Sequence, residues 1–319
     1  MILITGSTGF VGMNLLKKLS EGNSKIIALY RCEQKKRLVE KFLKFSKSTN
    51  KNIIWKKSTI NDIISLEEAF AGVTKVYHCA GYISFSANEK EKLNSVNING
   101  TKNIVNLCIN KKILKLIYFS SISALGDELN ENRINENTNY TNFHQQTPYS
   151  YSKYNAELEV WRGIQEGLKS VIINPGIVLG KSVRNDAPQS KIEKMILKYP
   201  FCFYAKGKSG FVNIDDVISA SLKLMNSSIS NERFILVSNN CSYKLILNKL
   251  MSNLRVNKKL IGINKCVFNF MLNIDFILSI IGFKKRFLSF NLIKSLFNQK
   301  EYDGSKITRF LPNFNYRDV

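Results

Sequence analysis

Along the first half of the chain, short runs of β-branched and other apolar residues alternate with segments of helical length. Residues 1–5, 25–30, 52–56, 75–79 and 114–119 read as strands. Several are apolar almost throughout, as parallel strands covered on both faces require. Between them, 10–20, 33–46, 65–71 and 90–110 are helical candidates. Strand, helix and strand repeated in this way specify right-handed crossovers and a doubly wound parallel sheet, an α/β fold. A polar, Asn-rich stretch at 127–146, with Gly126 before it and Pro148 after it, reads as a surface loop or lid. A helix is expected from about Pro148 and a strand over 170–174, which Asn174-Pro175-Gly176 breaks. From about residue 185 the pattern is less regular and more helical, with one more strand at 233–237. These patterns predict a first domain over 1–184, to which part of 211–240 returns, and a smaller, mostly helical lobe over 185–319.

Composition narrows the class. The chain has 319 residues, 44% hydrophobic and 11% aromatic, which is globular composition with ample length to bury a core. Six Cys are scattered without a Cys-x-x-Cys pair, and there are only two His, so a disulfide scaffold, a zinc module and a histidine metal site are not expected. No basic region precedes the first apolar run, so no signal peptide is expected and the cytoplasm is the default location. Lys and Arg number 47 against 24 Asp and Glu, a net charge of +23. Such an excess can mark a nucleic-acid or acidic-membrane partner. Here Lys is spread along the whole chain and Asn and Ile are also frequent, which points to biased composition, and no nucleic-acid partner is expected. The apolar stretch 267–283, followed by Lys284-Lys285-Arg286, is short and interrupted by Asn269, Asn273, Asp275 and Ser279. It reads as an amphipathic cover on the smaller lobe, with membrane contact through 267–286 the minor alternative.

Four sets of residues carry candidate chemistry. Gly6, Gly9 and Gly12 fall between the first strand and the first helix. A turn there needs a permissive backbone at Gly6, close approach of a pyrophosphate at Gly9, and close helix packing at Gly12. The helix N-terminus then offers N–H groups and a positive dipole end to phosphate. At the end of the second strand, where an NAD-preferring site usually has an acid for the ribose 2′-OH, the chain has Arg31, with Lys35, Lys36 and Arg37 following. A guanidinium suits a 2′-phosphate, so NADP(H) is the expected cofactor and NAD(H) the alternative. Tyr149 and Lys153 stand at i, i+4 on one helix face. A nearby ammonium lowers a phenol and fits it for acid/base work on a hydroxyl or carbonyl. Ser120 and Ser121 end the fifth strand, on the side where a doubly wound sheet binds ligands. His78, at a strand end, is expected to be a packed residue, and nothing supplies the elbow of a serine hydrolase.

Together these residues resemble the extended short-chain dehydrogenase/reductase family, in particular its dihydroflavonol-reductase, hydroxysteroid-dehydrogenase and NAD-dependent epimerase/dehydratase-like members. The likeness runs from Thr5-Gly6 to Tyr302-Asp303-Gly304-Ser305-Lys306. It takes in Ala80-Gly81 as the turn beside the cofactor, Asn97 within a helix motif, Pro175-Gly176-Ile177 along the nicotinamide, and Phe211 to Val217 as the tie between lobes. The resemblance implies a Rossmann fold and a catalytic triad of Ser121, Tyr149 and Lys153, with Lys153 also gripping the nicotinamide ribose. It further implies a dinucleotide held by Gly6, Thr8, Gly9, Phe10, Val11, Gly12, Arg31, Thr59, Ile60, Ala80, Gly81, Asn97, Tyr149, Lys153, Pro175, Gly176 and Ile177. Two departures stand out: Ser58-Thr59 replaces the Gly-Asp that often follows the third strand, and Asn174 stands where sugar-nucleotide epimerases commonly have Arg. The expected activity is hydride transfer between NADP(H) and a carbonyl or secondary alcohol of a small molecule. The alternatives are a sugar-nucleotide epimerase or dehydratase and a non-catalytic dinucleotide-binding protein, in a monomer or homodimer.

Overall fold

Apolar strands need a partner layer on each face, and in the computed structural model of the chain they have one. The structure describes residues 1–45, 50–84, 86–126, 133–138, 147–180, 182, 187–268, 293 and 296–318. From the N-terminus run β1 (Ile2–Thr5), α1 (Phe10–Ser20), β2 (Ile26–Tyr30), α2 (Glu33–Phe45), β3 (Ile53–Lys57), α3 (Ile63–Ala69) and β4 (Lys75–His78). Then come α4 (Lys90–Leu93), a π-helical stretch (Asn94–Asn99), α5 (Gly100–Asn110), β5 (Lys115–Phe119), β6 (Arg133–Ile134), α6 (Pro148–Gln165) and β7 (Ser170–Pro175). The remainder carries β8 (Ile177–Leu179), α7 (Pro188–Lys198), β9 (Phe201–Ala205), β10 (Lys208–Asn213), α8 (Ile214–Asn226) and β11 (Glu232–Leu236). Last are β12 (Asn239–Ser242), α9 (Tyr243–Asn253), β13 (Lys259–Ile263), β14 (Glu301–Tyr302) and α10 (Lys306–Phe310).

Seven strands form one parallel sheet in the order β11-β7-β5-β4-β1-β2-β3. Successive side chains of a strand point to opposite faces. Ile2 and Ile4 accordingly join Met13, Leu16, Val39, Val217 and Leu224 from α1, α2 and α8. Leu3 joins Leu66, Ile104, Val105, Ala156 and Val160 from α3, α5 and α6 on the other side. This is the doubly wound Rossmann arrangement. A separate cluster of Leu179, Ile196, Cys202, Phe211, Ile246 and Leu250 fills the smaller lobe.

Several boundaries differ from the sequence pattern for local reasons. The third helix begins at Ile63 because the Asp62 side chain caps it, accepting from the Ser65 N–H. The expected continuous helix over 90–110 contains the π-helical stretch, at which Asn97 turns inward to bond Tyr82 and Ser152. The smaller lobe is richer in strands than its sequence suggested: β8 and β12 flank β10 in one small sheet, and β9 pairs with β13. Lys206-Gly207-Lys208-Ser209-Gly210 and Asn239-Asn240-Cys241-Ser242 lack the apolar run that marks a strand. Of the apolar stretch 267–283, all but Val267 and Phe268 lies outside the described residues, as does most of the expected loop at 127–146. Among the described residues no helix is long and apolar enough to cross a membrane.

Candidate active site

The site begins where the strand order reverses. β1 pairs with β2 on one side and β4 on the other, and the chain leaves in opposite directions from this seam, which opens a crevice at the strand carboxyl ends. A cleft of about 370 Å³ lies there, lined by the ends of β1 to β4 and the loops that follow. Its floor is the glycine turn. Gly6 has φ +64°, and a Cβ on it would meet the Ala80 backbone at 2.6 Å. A Cβ on Gly12 would collide with the Gly6 carbonyl. The Ser7 hydroxyl donates to the Leu29 carbonyl at 2.7 Å and pins the turn to β2. Gly9 precedes α1 in extended backbone, and the first turn has neither a side-chain cap nor an acidic residue. The turn therefore presents a bare helix N-terminus in a cradle with no room for side chains, which fits a pyrophosphate.

At the rim of the cleft, Arg31 and Lys35 face the space beyond β2. Lys36 and Arg37 are engaged elsewhere: Lys36 donates to Glu33 at 3.1 Å and lies over the Tyr30 ring, and Arg37 is 3.9 Å from Glu33. Behind the cleft His78 is fully buried, with Nδ1 2.6 Å from the Thr5 hydroxyl and Nε2 3.0 Å from the Thr101 hydroxyl. Burial, and secondarily the Lys153 charge, lower it to about 3. It is a neutral strut between β1 and α5, as its position at a strand end suggested.

Tyr149 and Lys153 share the buried face of α6, whose start is fixed by Pro148 and by the Thr147 hydroxyl accepting from the Ser150 N–H at 2.9 Å. The Tyr149 phenol and the Ser121 hydroxyl share a hydrogen bond. Burial pushes the phenol up to about 12, and Ser121 draws it back. Burial takes the Lys153 ammonium down to about 8, against the pull of Glu157 and then Cys79. The spacing predicted that Lys153 would lower the phenol, but in the fold Ser121 is the group that does so. The Lys153 ammonium is instead drawn to the Phe119 carbonyl at 2.8 Å and the Tyr118 hydroxyl at 3.3 Å.

Not every expected contact residue faces the cleft. Gly6, Thr8, Gly9, Arg31, Thr59, Ile60, Ala80 and Gly81 line it. Phe10 and Val11 pack on the core, and Gly12 faces the turn. Asn97 is buried, its amide spanning the Tyr82 backbone at 2.7 and 2.9 Å and the Ser152 hydroxyl at 2.8 Å. Gly81 joins the two regions: a Cβ there would lie 3.6 Å from both Asn97 Oδ1 and Lys153 Nζ. Pro175, Gly176 and Ile177 form the corner from β7 into β8, where the Gly176 N–H donates to the Leu236 carbonyl at 3.0 Å. Ser58 also lines the cleft. So do Thr5 and Cys79, which the motif reading passed over because they carry no pattern beyond ending a strand. No group of three or more His, Cys, Asp or Glu among the described residues could hold a metal ion.

Comparison with known proteins agrees with this geometry. Sterol demethylase protein B of Methylococcus capsulatus is 25% identical over 251 residues, covering 78% of this chain and 73% of its own. A putative dihydroflavonol 4-reductase of Synechocystis sp. is 27% identical over 251 residues, 77% of this chain and 70% of its own. Among solved structures, DesIV, a dTDP-glucose 4,6-dehydratase of Streptomyces venezuelae crystallised with NAD and TYD, superimposes with a TM-score of 0.77. It is 14% identical and covers 100% of this chain and 92% of its own, which shows the shared fold. The profile of the NAD dependent epimerase/dehydratase family matches residues 2–236, from the first residue of β1 to the last of β11. A match that spans the entire central sheet establishes the kinship: this chain belongs to the NAD dependent epimerase/dehydratase family, whose members are NAD(P)-dependent reductases, epimerases and dehydratases.

Proposed function

We propose that the protein is an NADP(H)-dependent oxidoreductase that interconverts a carbonyl and a secondary alcohol. The observation that carries this reading is the hydrogen-bonded Tyr149–Ser121 pair on the buried face that also holds Lys153. With its phenol near 12, Tyr149 is protonated at neutral pH and so is a proton donor to a developing alkoxide. Ser121 orients the same oxygen through its hydroxyl, and Lys153 holds positive charge beside the site and grips the ribose. A nicotinamide dinucleotide bound in the cleft supplies or accepts the hydride. Its pyrophosphate fits the bare start of α1 at Gly9 to Gly12, and its 2′-phosphate fits Arg31. In this reading residues 1–184, with the returning part of 211–240, bind the dinucleotide, while 185–319 shape the substrate site.

Asn174 favours a reductase over a nucleotide-sugar enzyme. Its side chain points into the protein interior, bonded to Glu157 at 2.6 Å and to the Ser121 carbonyl at 2.9 Å, and it presents no cation to a substrate phosphate. Screening carbonyl compounds for loss of NADPH absorbance tests the proposal. Stoichiometric consumption with Tyr149-dependent turnover supports it. Substrate conversion without net NADPH loss identifies an internal redox cycle, as in an epimerase, and overturns the reductase reading.

A further inference from the structure

Among the described residues, one buried carboxylate with no step in the chemistry above lies beside the site. Glu157 stands one helical turn after Lys153 on α6, with its side chain 1% exposed. Removing a carboxylate from water is costly, and only a well-formed set of partners offsets that cost. Here the partners are specific. Oε2 lies 3.2 Å from Arg233 Nη1 on β11, and Oε1 accepts from Asn174 Nδ2 on β7 at 2.6 Å. The same Asn174 amide donates its other proton to the Ser121 carbonyl at 2.9 Å. Arg233 is fixed in turn by the Glu136 carbonyl. The orientation of Asn174 follows from these contacts. Flipped, its Oδ1 would face a carboxylate and a carbonyl, two acceptors with no proton between them.

We infer that Glu157 is a positioning residue: with Arg233 as its counter-charge, it holds the Asn174 amide against the Ser121 backbone and places a negative charge one turn behind the Lys153 ammonium. The inference rests on the functional reading given above. The Ser121 hydroxyl is placed by its own backbone, so a clamp on the Ser121 carbonyl sets where that hydroxyl meets Tyr149. The other titratable groups facing Lys153 are Tyr149 on its own helix, Tyr118 on β5, and His78 and Cys79 at the end of β4. His78 is neutral and burial raises both Tyr118 and Cys79, so Glu157 is the negative charge among them. Burial alone favours neutral Lys153, and the Glu157 carboxylate opposes it.

Glu157→Gln tests this because it keeps the size and an acceptor for Asn174 while removing the charge. NADPH affinity is measured by fluorescence across pH, which needs no known substrate, and pH–rate profiles are recorded on any compound that turns over. The alkaline loss of affinity and rate is expected to move about one pH unit toward acid, as loss of a nearby opposite charge dictates. Glu157→Asp, which retains the charge, is expected to restore the wild-type alkaline limb at a reduced kcat. Gln at 157 leaves Arg233 unpaired, so the pair Glu157→Gln with Arg233→Gln serves as a folded control and is expected to keep the acidward shift. An alkaline limb that coincides with wild type in a folded charge-free variant overturns the role of Glu157 alone. A wild type that binds neither dinucleotide overturns the functional reading and this role with it.

Discussion

Tyr149 and Lys153 are both moved by burial, in opposite directions, and both shifts suit reduction. The phenol, near 12, keeps its proton at neutral pH, while the ammonium, near 8, keeps its charge until mildly alkaline pH. Carbonyl reduction is therefore expected to fall as pH rises through about 8, where the Lys153 charge is lost, and a pH–rate profile checks this. Tyr149→Phe retains the ring and deletes the proton donor. It should lower kcat by about 10²–10⁴-fold with cofactor affinity nearly unchanged, and near-wild-type turnover would remove Tyr149 from the mechanism. Arg31 offers a second test at this scale. Of the four cations after β2, Lys36 and Arg37 are spent on Glu33, whereas Arg31 lines the cleft with no ion pair among the described residues. A charge-assisted hydrogen bond contributes roughly 1.5–3 kcal/mol, equivalent to about a 10- to 150-fold preference for NADPH. Titrating both dinucleotides into wild type and Arg31→Ala should show a selective loss for NADPH, and equal losses would refute it.

The elements show what the sequence could convey and what it could not. Helix α1 was legible to its last residue because a glycine turn starts it and buried Met13, Leu15 and Leu16 mark its inner face. The spacing of Tyr149 and Lys153 was legible because one helix carries both. The partners of Glu157 were not, since Asn174 and Arg233 meet it from two strands, β7 and β11, that lie apart from α6 in sequence. Nor was the π-helical stretch, because the contacts that turn Asn97 inward come from Tyr82 and from Ser152 on α6. The strands of the smaller lobe were hidden by Lys, Gly, Ser and Asn at positions where half the strand meets solvent. The turn itself yields a prediction. A methyl on Gly12 meets the Gly6 carbonyl, a backbone group that cannot swing aside as a side chain would. Gly12→Ala should lower stability by about 1–3 kcal/mol, typical of overpacking, and weaken dinucleotide binding more than that loss of fold explains. A thermal melt paired with an NADPH titration at a temperature where the variant is folded measures both, and a variant that binds like wild type would show that the turn has slack.

At the scale of the whole molecule, the two packed faces of the sheet leave β1 and β4 with neighbours on every side, and His78 lies at that seam. Its ring bridges Thr5 on β1 and Thr101 on α5, and stacks at 31° to the Tyr118 ring on β5. Neutral, the imidazole satisfies both hydroxyls; charged, it is a desolvated cation near Lys153. In the unfolded chain His78 takes its proton at about 6.5, its ordinary value, while in the folded chain it does so only at about 3. Between these values the unfolded state binds a proton that the native state does not, so stability is fully present above about 6.5 and drains away as pH falls toward 3. Each pH unit inside that window removes up to about 1.4 kcal/mol. Lys153 adds nothing to this slope, because it is protonated in both states throughout the window. Urea unfolding at a series of acidic pH values should therefore show a steeper fall for wild type than for His78→Gln, by close to one proton in the window. The comparison is one of slopes, so it holds even if the variant starts from a lower stability. Parallel slopes would mean that His78 is protonated in the native seam and that carboxylates set the acid limit instead.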